Sequence, residues 1–443
     1  MTNDLTKGNV LKNLILFSLP YLLSCFLQTF YGMADLFIAG RFNGSDTITA
    51  ISTGSQIMHM ITVIIVGLAM GTTVLISQAI GGNHIERARK VTGNSVVLFM
   101  IVSILMTGIL LLCTDGIIMV MSVPAAAVSQ AKAYLTICFI GIPFITAYNI
   151  ISCILRGLGD SRTPMYFIAI ACAVNIAADY ILMGPLHMGA SGAALGTVLS
   201  QTISVLCALI YMQKKDMGFH VSKQDLVPDS TIIRQLFHIG IPISLQDGLI
   251  QVSFIIITII ANGRGLVIAA SVGIVEKIIG FVFLIPSAML SSISAIAAQN
   301  IGAGAPKRAR QTLGYGIIIV LVCGTIFSII CQIIPDSIVG LFSRDPEVIR
   351  MGADYLRSYI FDCAIAGVHF CFSGFFCAHG RSIISFIHNI SSIVLVRIPG
   401  AYLASKLYPD TLYQMGLAAP LGSLLSALIC VVFYVYLRRR NQV

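Results

Sequence analysis

Twelve long apolar stretches restrict what this chain can fold into. A helix needs about 20 apolar residues to cross a bilayer, and each stretch is about that long or longer. Hydrophobic residues make up 57% of the chain and charged residues only 10%, whereas a soluble domain is typically about 25% charged. The stretches predicted to span a membrane are 13–40, 48–79, 91–113, 132–157, 163–184, 189–213, 233–261, 267–301, 309–334, 353–379, 382–405 and 412–437.

The only long polar interruption divides these spans into six and six. We therefore predict an all-α polytopic membrane protein with an N-terminal six-helix lobe at 1–213, a cytoplasmic linker at 214–232 and a C-terminal six-helix lobe at 233–443. Lys and Arg predict the orientation, because cytoplasmic loops are enriched in them. With both termini in the cytoplasm, 18 of these residues lie inside and seven outside. The expected location is the inner (plasma) membrane.

The two halves of the sequence repeat each other. "SQAIGGNHIERARK" at 77–90 aligns with "AQNIGAGAPKRARQ" at 298–311, and Pro20 pairs with Pro242. Since each copy has an even number of helices, both copies face the same way. The lobes are then related by a pseudo-two-fold axis along the membrane normal, with a cavity between them. Such a two-lobed repeat is typical of transporters.

The remaining composition argues against several other classes of protein. The net charge of +9 is explained by basic cytoplasmic loops, so we expect no nucleic-acid partner. The 12 cysteines contain no C-x-x-C pair and the eight histidines are dispersed, so we expect no disulfide framework and no His/Cys metal centre. We find no P-loop, no H-E-x-x-H and no nucleophile motif. These absences exclude a primary pump on this chain and disfavour an intramembrane enzyme.

Four oxygen-bearing side chains fall in one layer of the first lobe. At about 1.5 Å per residue, Asp35 and Asp179 each lie about five residues inside the outer end of a span. Asn175 is one turn deeper, and Thr197 lies between them. A charge at the centre of a bilayer costs roughly 2.5 to 3.5 kcal/mol. Two carboxylates without a basic partner cannot both stay ionised and dry, so we predict that a proton or a cation neutralises them.

The first helix carries a polar stripe that ends at this layer. Ser24, Gln28, Tyr31 and Asp35 are spaced four, three and four residues apart, which places them on one helix face. Lipid would penalise that face, so we expect it to line a cavity or the protein interior. Pro20 lies below the stripe and allows the helix to kink. An Asp in a span can also simply hydrogen-bond a neighbouring helix, and this alternative stays open.

The second lobe lacks the same set of groups. Its charged residues within spans are Asp247, Glu276, Lys277, Asp362 and Arg397. The last four are two acids and two bases at similar depth, and we expect them to neutralise one another. Asp247 is deeper and unexplained. The first lobe is therefore the better candidate for cation chemistry.

These features together resemble the multidrug and toxic compound extrusion (MATE) family over nearly the whole chain. The resemblance rests on the six-plus-six helices, the repeated basic loop, Pro20 followed by Asp35, and "RGLGDSRTP" at 156–164. It implies drug efflux driven by inward flow of Na⁺ or H⁺. One branch of the family places its cation site in the second lobe and uses a Glu on helix 7. Here the nearest acid, Asp247, stands at a different position, so that site is not carried over.

The resemblance also implies roles for individual residues. The cation site of the DinF-like branch resembles Asp35, Asn175, Asp179 and Thr197, which would bind Na⁺ or a proton. Gln28 and Asn149 match polar positions of its substrate cavity, and we place Tyr31 of the stripe with them. The neutral oxygens of Asn175 and Thr197 favour Na⁺, but the sequence does not decide between the two ions.

The sequence thus predicts a cation-coupled multidrug antiporter that works by alternating access. We expect it to be a monomer without an organic cofactor, in contact with the lipid bilayer, and to export small amphipathic, cationic compounds. The alternative is a lipid-linked-sugar flippase of related architecture. A flippase would favour a basic cavity for a pyrophosphate group, whereas the first lobe is acidic.

Overall fold

A computed structural model describes residues 4–214 and 221–443. Part of the predicted linker, residues 215–220, lies outside the described residues, as does Lys215 of the predicted cytoplasmic set. The described residues form helices, turns and loops, and no strand. The contacts divide them into two compact units. Of the described residues, unit 1 contains Asp4 and Leu19–Phe237, and unit 2 contains Leu5–Ser18 together with His238–Val443.

Helices follow one another with short connections along the whole chain. Those that begin in the first half are α1 (Val10–Phe42), α2 (Ser45–Gly81), α3 (Ile85–Val120), α4 (Val128–Ile140), α5 (Ile142–Gly157), α6 (Arg162–Met183) and α7 (Gly189–Lys214), with 3₁₀ turns at Ala125–Ala127 and Lys223–Leu226. Those that begin in the second half are α8 (Ser230–Asn262), α9 (Leu266–Val282), α10 (Leu284–Gly302), α11 (Pro306–Ile333), α12 (Pro335–Gly340), α13 (Pro346–Tyr359), α14 (Phe361–Ala378), α15 (Ile383–Ser392), α16 (Ile398–Leu407), α17 (Tyr413–Gly416) and α18 (Ala418–Arg439), with a π-helical segment at Ile393–Arg397.

The described residues contain the predicted number of membrane spans. Eleven helical segments are long and apolar enough to cross a bilayer, and the bent pair α4–α5 makes a twelfth if it counts as one span. Large apolar side chains such as Leu112 and Leu266 are almost fully exposed. In water such a surface would be unstable, but lipid solvates it. The all-α polytopic fold predicted from the sequence is confirmed.

Five of the predicted spans contain a change of helix. The span at 382–405 consists of α15, the π-helical segment and α16, and the span at 412–437 consists of α17 and α18. The other three are each built from two helices. Helices α4 and α5 meet at Gly141 with a bend of 47°, and Pro143 follows the break. Proline has no N–H to donate to the preceding turn, so the helix changes direction there. Helices α9 and α10 meet at Phe283, three residues before Pro286, and α13 and α14 meet at Ile360.

The boundaries between the units pass through two helices rather than through the linker. The first residues of α1, up to Ser18, belong to unit 2, and the rest of α1 belongs to unit 1. Likewise α8 belongs to unit 1 up to Phe237 and to unit 2 from His238. The predicted lobes at 1–213 and 233–443 differ from these units by the two short segments. Helix α1 continues through Pro20 without a break.

Hydrogen bonds hold the N-terminal segment against unit 2. The Gln299 side chain accepts a hydrogen bond from the Leu5 N–H at 3.3 Å, and the Asn300 amide donates to the Leu5 carbonyl at 3.4 Å. The Arg308 guanidinium donates to the Gly8 carbonyl at 2.9 Å. Gln299 and Arg308 belong to the repeated basic loop, so in unit 2 this motif anchors the start of the chain.

The corresponding loop of unit 1 anchors the segment before α8. The Arg89 guanidinium pairs with the buried Asp225 carboxylate at 2.9 Å, and the Asn94 amide donates to the Asp225 and Val227 carbonyls at 3.3 Å each. Gly93 allows this approach, because a Cβ there would run into the Asp225 backbone. In each unit, therefore, residues in or near the repeated loop hold a segment that leads into a helix of the other unit.

Candidate functional site

The predicted polar stripe runs along α1 within unit 1. Ser24 and Asp35 are buried, while Gln28 and Tyr31 are half-buried. The Ser24 hydroxyl donates to the Pro20 carbonyl at 3.0 Å, which gives this oxygen next to the proline ring an extra partner. The stripe therefore faces the interior of unit 1 at Ser24 and Asp35, as expected from its spacing.

The acid groups come together where the stripe ends. Asp179 and Asn175 lie one turn apart on α6, and both are fully buried. The Asp35 side chain is 3% exposed and interacts with both of them. The structure thus brings together three of the four residues predicted for the cation site, from two helices that are far apart in sequence.

These contacts leave the polar atoms unsatisfied. Within residues 4–214 and 221–443, no regular hydrogen-bond partner is found for Asp35 Oδ1, for either carboxyl oxygen of Asp179, or for either polar atom of the Asn175 amide. Buried polar atoms are normally paired, and each exception calls for an explanation. Several oxygens converging without donors are suited to a proton or to a hard cation such as Na⁺.

Helix α7 also packs against the site. A Cβ on Gly196 would collide with Asp179 Oδ1, so the carboxylate lies directly against the α7 backbone. The neighbouring Thr197 is half-buried, and its hydroxyl donates to the Ala193 carbonyl at 3.1 Å. The predicted fourth ligand therefore lies next to the residue that contacts Asp179, with its hydroxyl bonded to its own helix.

The predicted substrate-cavity residues belong to the same unit. Tyr31 interacts with Gln201 and Tyr148, besides Asp35. Asn149 is buried, and its amide donates to the Ile145 carbonyl at 2.8 Å. Gln28 stays half-buried on the stripe.

Sequence reasoning missed several polar groups in this interior. Gln201 and Tyr148 stand beside the stripe, and α5 contributes the buried hydroxyls of Thr146 and Ser152. The α5 residues could have been found, because Thr146, Asn149 and Ser152 are spaced three apart, as on one helix face. The signal was hidden by the high apolar content of that span.

The charged residues of unit 2 form a partly paired cluster. The Arg397 guanidinium donates to the Tyr359 hydroxyl at 2.5 Å and lies 3.9 Å from the Asp362 carboxylate. Glu276 is close enough to interact with Arg397 and accepts a hydrogen bond from Thr258 at 3.1 Å.

Lys277 does not belong to this cluster, contrary to expectation. Its side chain is exposed, since the residue after Glu276 lies about 100° further round the helix. Asp247 is half-buried beside Gln246 and has no described basic partner within ion-pair distance. Unit 2 therefore pairs its buried acids with one base, whereas the acid pair of unit 1 has none.

Comparison with known proteins supports the architecture. The family model described as MatE matches residues 20–181 and again 242–403. These two matches begin at Pro20 and Pro242, the residues that the internal repeat pairs. The chain is 30% identical to "Probable multidrug resistance protein YpnP" of Bacillus subtilis (strain 168) over 98% of this chain and 96% of that protein. It is 25% identical to "Multidrug export protein MepA" of Staphylococcus haemolyticus (strain JCSC1435), over 99% and 96%.

Solved structures share the fold. A crystal structure of MATE in the bent conformation superposes with a TM-score of 0.92 at 20% identity, covering 99% of this chain and 98% of that one. A crystal structure of MATE in the straight conformation gives a TM-score of 0.90 at 21% identity, with coverage of 99% and 97%. The chain therefore shares the fold of these solved structures.

Proposed function

Because this chain belongs to the multidrug and toxic compound extrusion (MATE) family, and is thus a multi-pass membrane transporter rather than an enzyme, we propose that it exports small amphipathic organic cations in exchange for Na⁺ or H⁺. Relatives that cover almost the entire chain are named multidrug resistance or multidrug export proteins, which supports drugs as its substrates. The basic loops support an inner-membrane location with both termini in the cytoplasm. We propose that it works as a monomer.

The observation that carries the coupling proposal is the acid pair of unit 1. Asp35 and Asp179 lie together in the interior, with Asn175 beside them and without regular hydrogen bonds to described residues. No described Lys or Arg pairs with either carboxylate. Repulsion between two such groups in a medium of low dielectric constant is relieved when a proton or a metal cation binds. Ion binding therefore changes the stability of this arrangement, as coupling requires.

We further propose how binding leads to transport. Substrate enters from the cytoplasm or the inner leaflet and occupies a cavity that includes Gln28, Tyr31 and Asn149. The coupling ion arrives from outside and binds Asp35, Asn175, Asp179 and Thr197. Neutralising the acid pair favours bending of α1 at Pro20, where the helix lacks one backbone hydrogen bond. Bending moves the stripe, reduces the space for substrate and releases it outside.

The oxygen set suits Na⁺ and H⁺ to different degrees. Carboxylate and neutral oxygens together are the ligands of hard cations, so Asn175 and Thr197 favour Na⁺. Thr197 can contribute only if its hydroxyl oxygen uses its free lone pairs, since its proton is donated to Ala193. Protons compete for the same oxygens, because a carboxylate must lose its proton to become a ligand. An acidic site of this kind is unsuited to the pyrophosphate of a lipid-linked sugar.

Transport into proteoliposomes tests the proposal. Purified protein should take up a fluorescent organic cation in exchange for Na⁺ or H⁺ that leaves the proteoliposomes down an imposed gradient. The Na⁺ gradient and the pH gradient are varied separately. Asp35→Asn and Asp179→Asn should abolish this exchange, because Asn keeps the shape but cannot ionise. Asp115→Asn is the matched control, since Asp115 is an exposed acid of the same unit paired with Lys132. Exchange at the wild-type rate by both interior variants would refute the site, and exchange independent of either gradient would refute coupling.

A further inference from the structure

Unit 1 contains a column of unsatisfied polar atoms that extends well beyond the acid pair. Besides Asp35, Asn175 and Asp179, the buried atoms without a described hydrogen-bond partner include Gln201 Oε1, Thr146 Oγ1, Ser152 Oγ and Arg156 Nε. Buried polar atoms of this kind are usually satisfied by water. A series of them along one unit therefore indicates a hydrated path through its interior.

Electrostatic interactions between neighbouring side chains link the two ends of this column. Asp35 is near Tyr31, Tyr31 is near Tyr148, and Tyr148 is near Arg156. The Arg156 guanidinium also stacks over the ring of Tyr21, with 4.7 Å to the ring centroid. Tyr21 and Asp35 are 14 residues apart on α1, or about 21 Å along a helix that rises 1.5 Å per residue.

Arg156 is the basic group at the end of the column away from the acids. It is 6% exposed, and its guanidinium donates to the Cys153 sulfur at 3.1 Å. No carboxylate of the described residues forms an ion pair with it. Its charge is therefore directed into the interior of the unit without a compensating acid, although such residues are costly in a membrane and usually serve a function.

A structural role alone explains part of this arrangement. Arg156 lies in the last turn of α5, where a positive charge is favoured by the helix dipole, and its guanidinium stacks on the Tyr21 ring. These contacts do not require burial without a carboxylate, nor a position at the end of a polar column. A fixed positive charge in a narrow hydrated path repels cations, as an arginine does in pores that exclude them.

We propose that Arg156 is the electrostatic barrier that stops the coupling cation from passing through unit 1 beyond the acid pair. The ion reaches Asp35 and Asp179 from one side and leaves by the same side, because the positive charge at the far end of the column opposes its advance. Exchange then stays coupled to substrate instead of becoming a leak. This inference rests on the proposed cation coupling at the acid pair.

Ion uptake without substrate tests the barrier. Proteoliposomes would contain wild type, Arg156→Gln, Arg156→Met or Arg156→Lys, with radioactive Na⁺ outside and a pH-sensitive dye inside. We expect the neutral variants to raise substrate-independent cation uptake by about tenfold or more, since one unit charge at close range in a protein interior amounts to at least that factor. Arg156→Lys keeps the charge and should remain tight. Arg162→Gln, which removes an exposed charge nearby, should also remain tight.

The leak should also depend on the acid pair. Adding Asp35→Asn to Arg156→Gln should abolish the extra uptake, which separates passage through unit 1 from leakage around a misfolded protein. Neutral variants that exchange substrate and stay tight would overturn the barrier while leaving the proposed function intact. A leak in Arg156→Lys equal to that of Arg156→Gln would also overturn it, because shape rather than charge would then matter. Wild type that takes up no cation in exchange for substrate would overturn both proposals.

Discussion

At the scale of single residues, Asp179 is positioned by a neighbour that has no side chain. Gly196 on α7 leaves room for the Asp179 carboxylate, which lies where a Cβ of residue 196 would be. Protein interiors are close-packed, so an added methyl group there cannot be absorbed without movement. Asp35 interacts with the same carboxylate. The spacing of the acid pair therefore depends on the glycine.

Gly196→Ala should weaken binding of the coupling ion while the protein stays folded. Overpacking typically costs about 1–3 kcal/mol, and about 1.4 kcal/mol is a tenfold change in affinity, so we expect roughly tenfold weaker Na⁺ binding. Isothermal titration calorimetry on purified protein would measure it. Gly108→Ala is the control, since a Cβ there meets no atom within 4 Å. Equal Na⁺ affinity in the two variants would contradict this account of the site.

Charge and depth were enough to predict Asp35, Asn175 and Asp179 from the sequence, because few polar groups occur in the spans. Gly196 could not be predicted in this way, since a glycine has no side chain to which a depth argument applies. Lys277 was wrongly grouped with Glu276 because depth ignores the direction in which a side chain points. Roles in ion binding remain predictions for all four proposed cation ligands.

At the scale of helices, the length of the apolar stretches predicted the bounds of the spans closely. It did not predict where a span is divided into two helices. The span predicted at 189–213 is α7, Gly189–Lys214. The span predicted at 91–113 extends to Ile85–Val120, because charged residues such as Arg87 continue the backbone hydrogen bonds outside the apolar core. The breaks at Phe283 and Ile360 leave the apolar pattern unchanged, so hydropathy contains no signal for them.

The Asp225 carboxylate is one of the groups that attach the short segment Lys223–Leu226 to α3, besides the Asn94 amide. The Ser222 hydroxyl and N–H donate to Asp225, and Arg89 pairs with its other oxygen. These donors hold the pKa of Asp225 below its ordinary value, Ser222 contributing most and Arg89 less, although burial opposes them. The carboxylate form therefore stabilises the docked segment.

Docking of this segment should be lost in acid. Because the pKa of Asp225 is lowered in the folded state, its contribution is present above the ordinary aspartate pKa of about 3.9. It disappears as the pH falls below that value and through the lowered one. Hydrogen exchange of residues 221–229, corrected for its intrinsic pH dependence, should rise in that window. In Asp225→Asn the segment should exchange fast already at neutral pH, and a pH-dependent step that persists there would point to another group.

At the scale of the whole molecule, each unit holds a segment that leads into a helix of the other. Residues 5–18 are packed in unit 2 before α1 enters unit 1, and residues up to Phe237 are packed in unit 1 before α8 enters unit 2. Asn300 binds the first of these segments and Asn94 binds the second. Substitutions at Asn300 and Asn94 should therefore destabilise different segments of the chain.

Asn300→Ala should release the N-terminal segment, and Asn94→Ala should release the segment before α8. Losing a buried hydrogen-bonding group costs about 1–3 kcal/mol, so we expect roughly tenfold faster hydrogen exchange in the released segment. Exchange resolved by peptide would show residues 5–18 affected by the first variant and residues 221–229 by the second. The two variants serve as controls for each other. If either one accelerates both segments equally, the anchors are not independent.

The exchange of leading segments also bears on how such a chain could have originated. A half-length ancestor with this pattern would present an empty docking place beside its basic loop, and its own first helix would begin outside its own bundle. In a pair of such chains, each copy could bind the leading segment of the other at its docking place. This is the arrangement of a domain-swapped homodimer. Joining the two genes would then have made an existing exchange permanent and freed the copies to diverge, so that one carries the acid pair Asp35 and Asp179 and the other a buried arginine, Arg397.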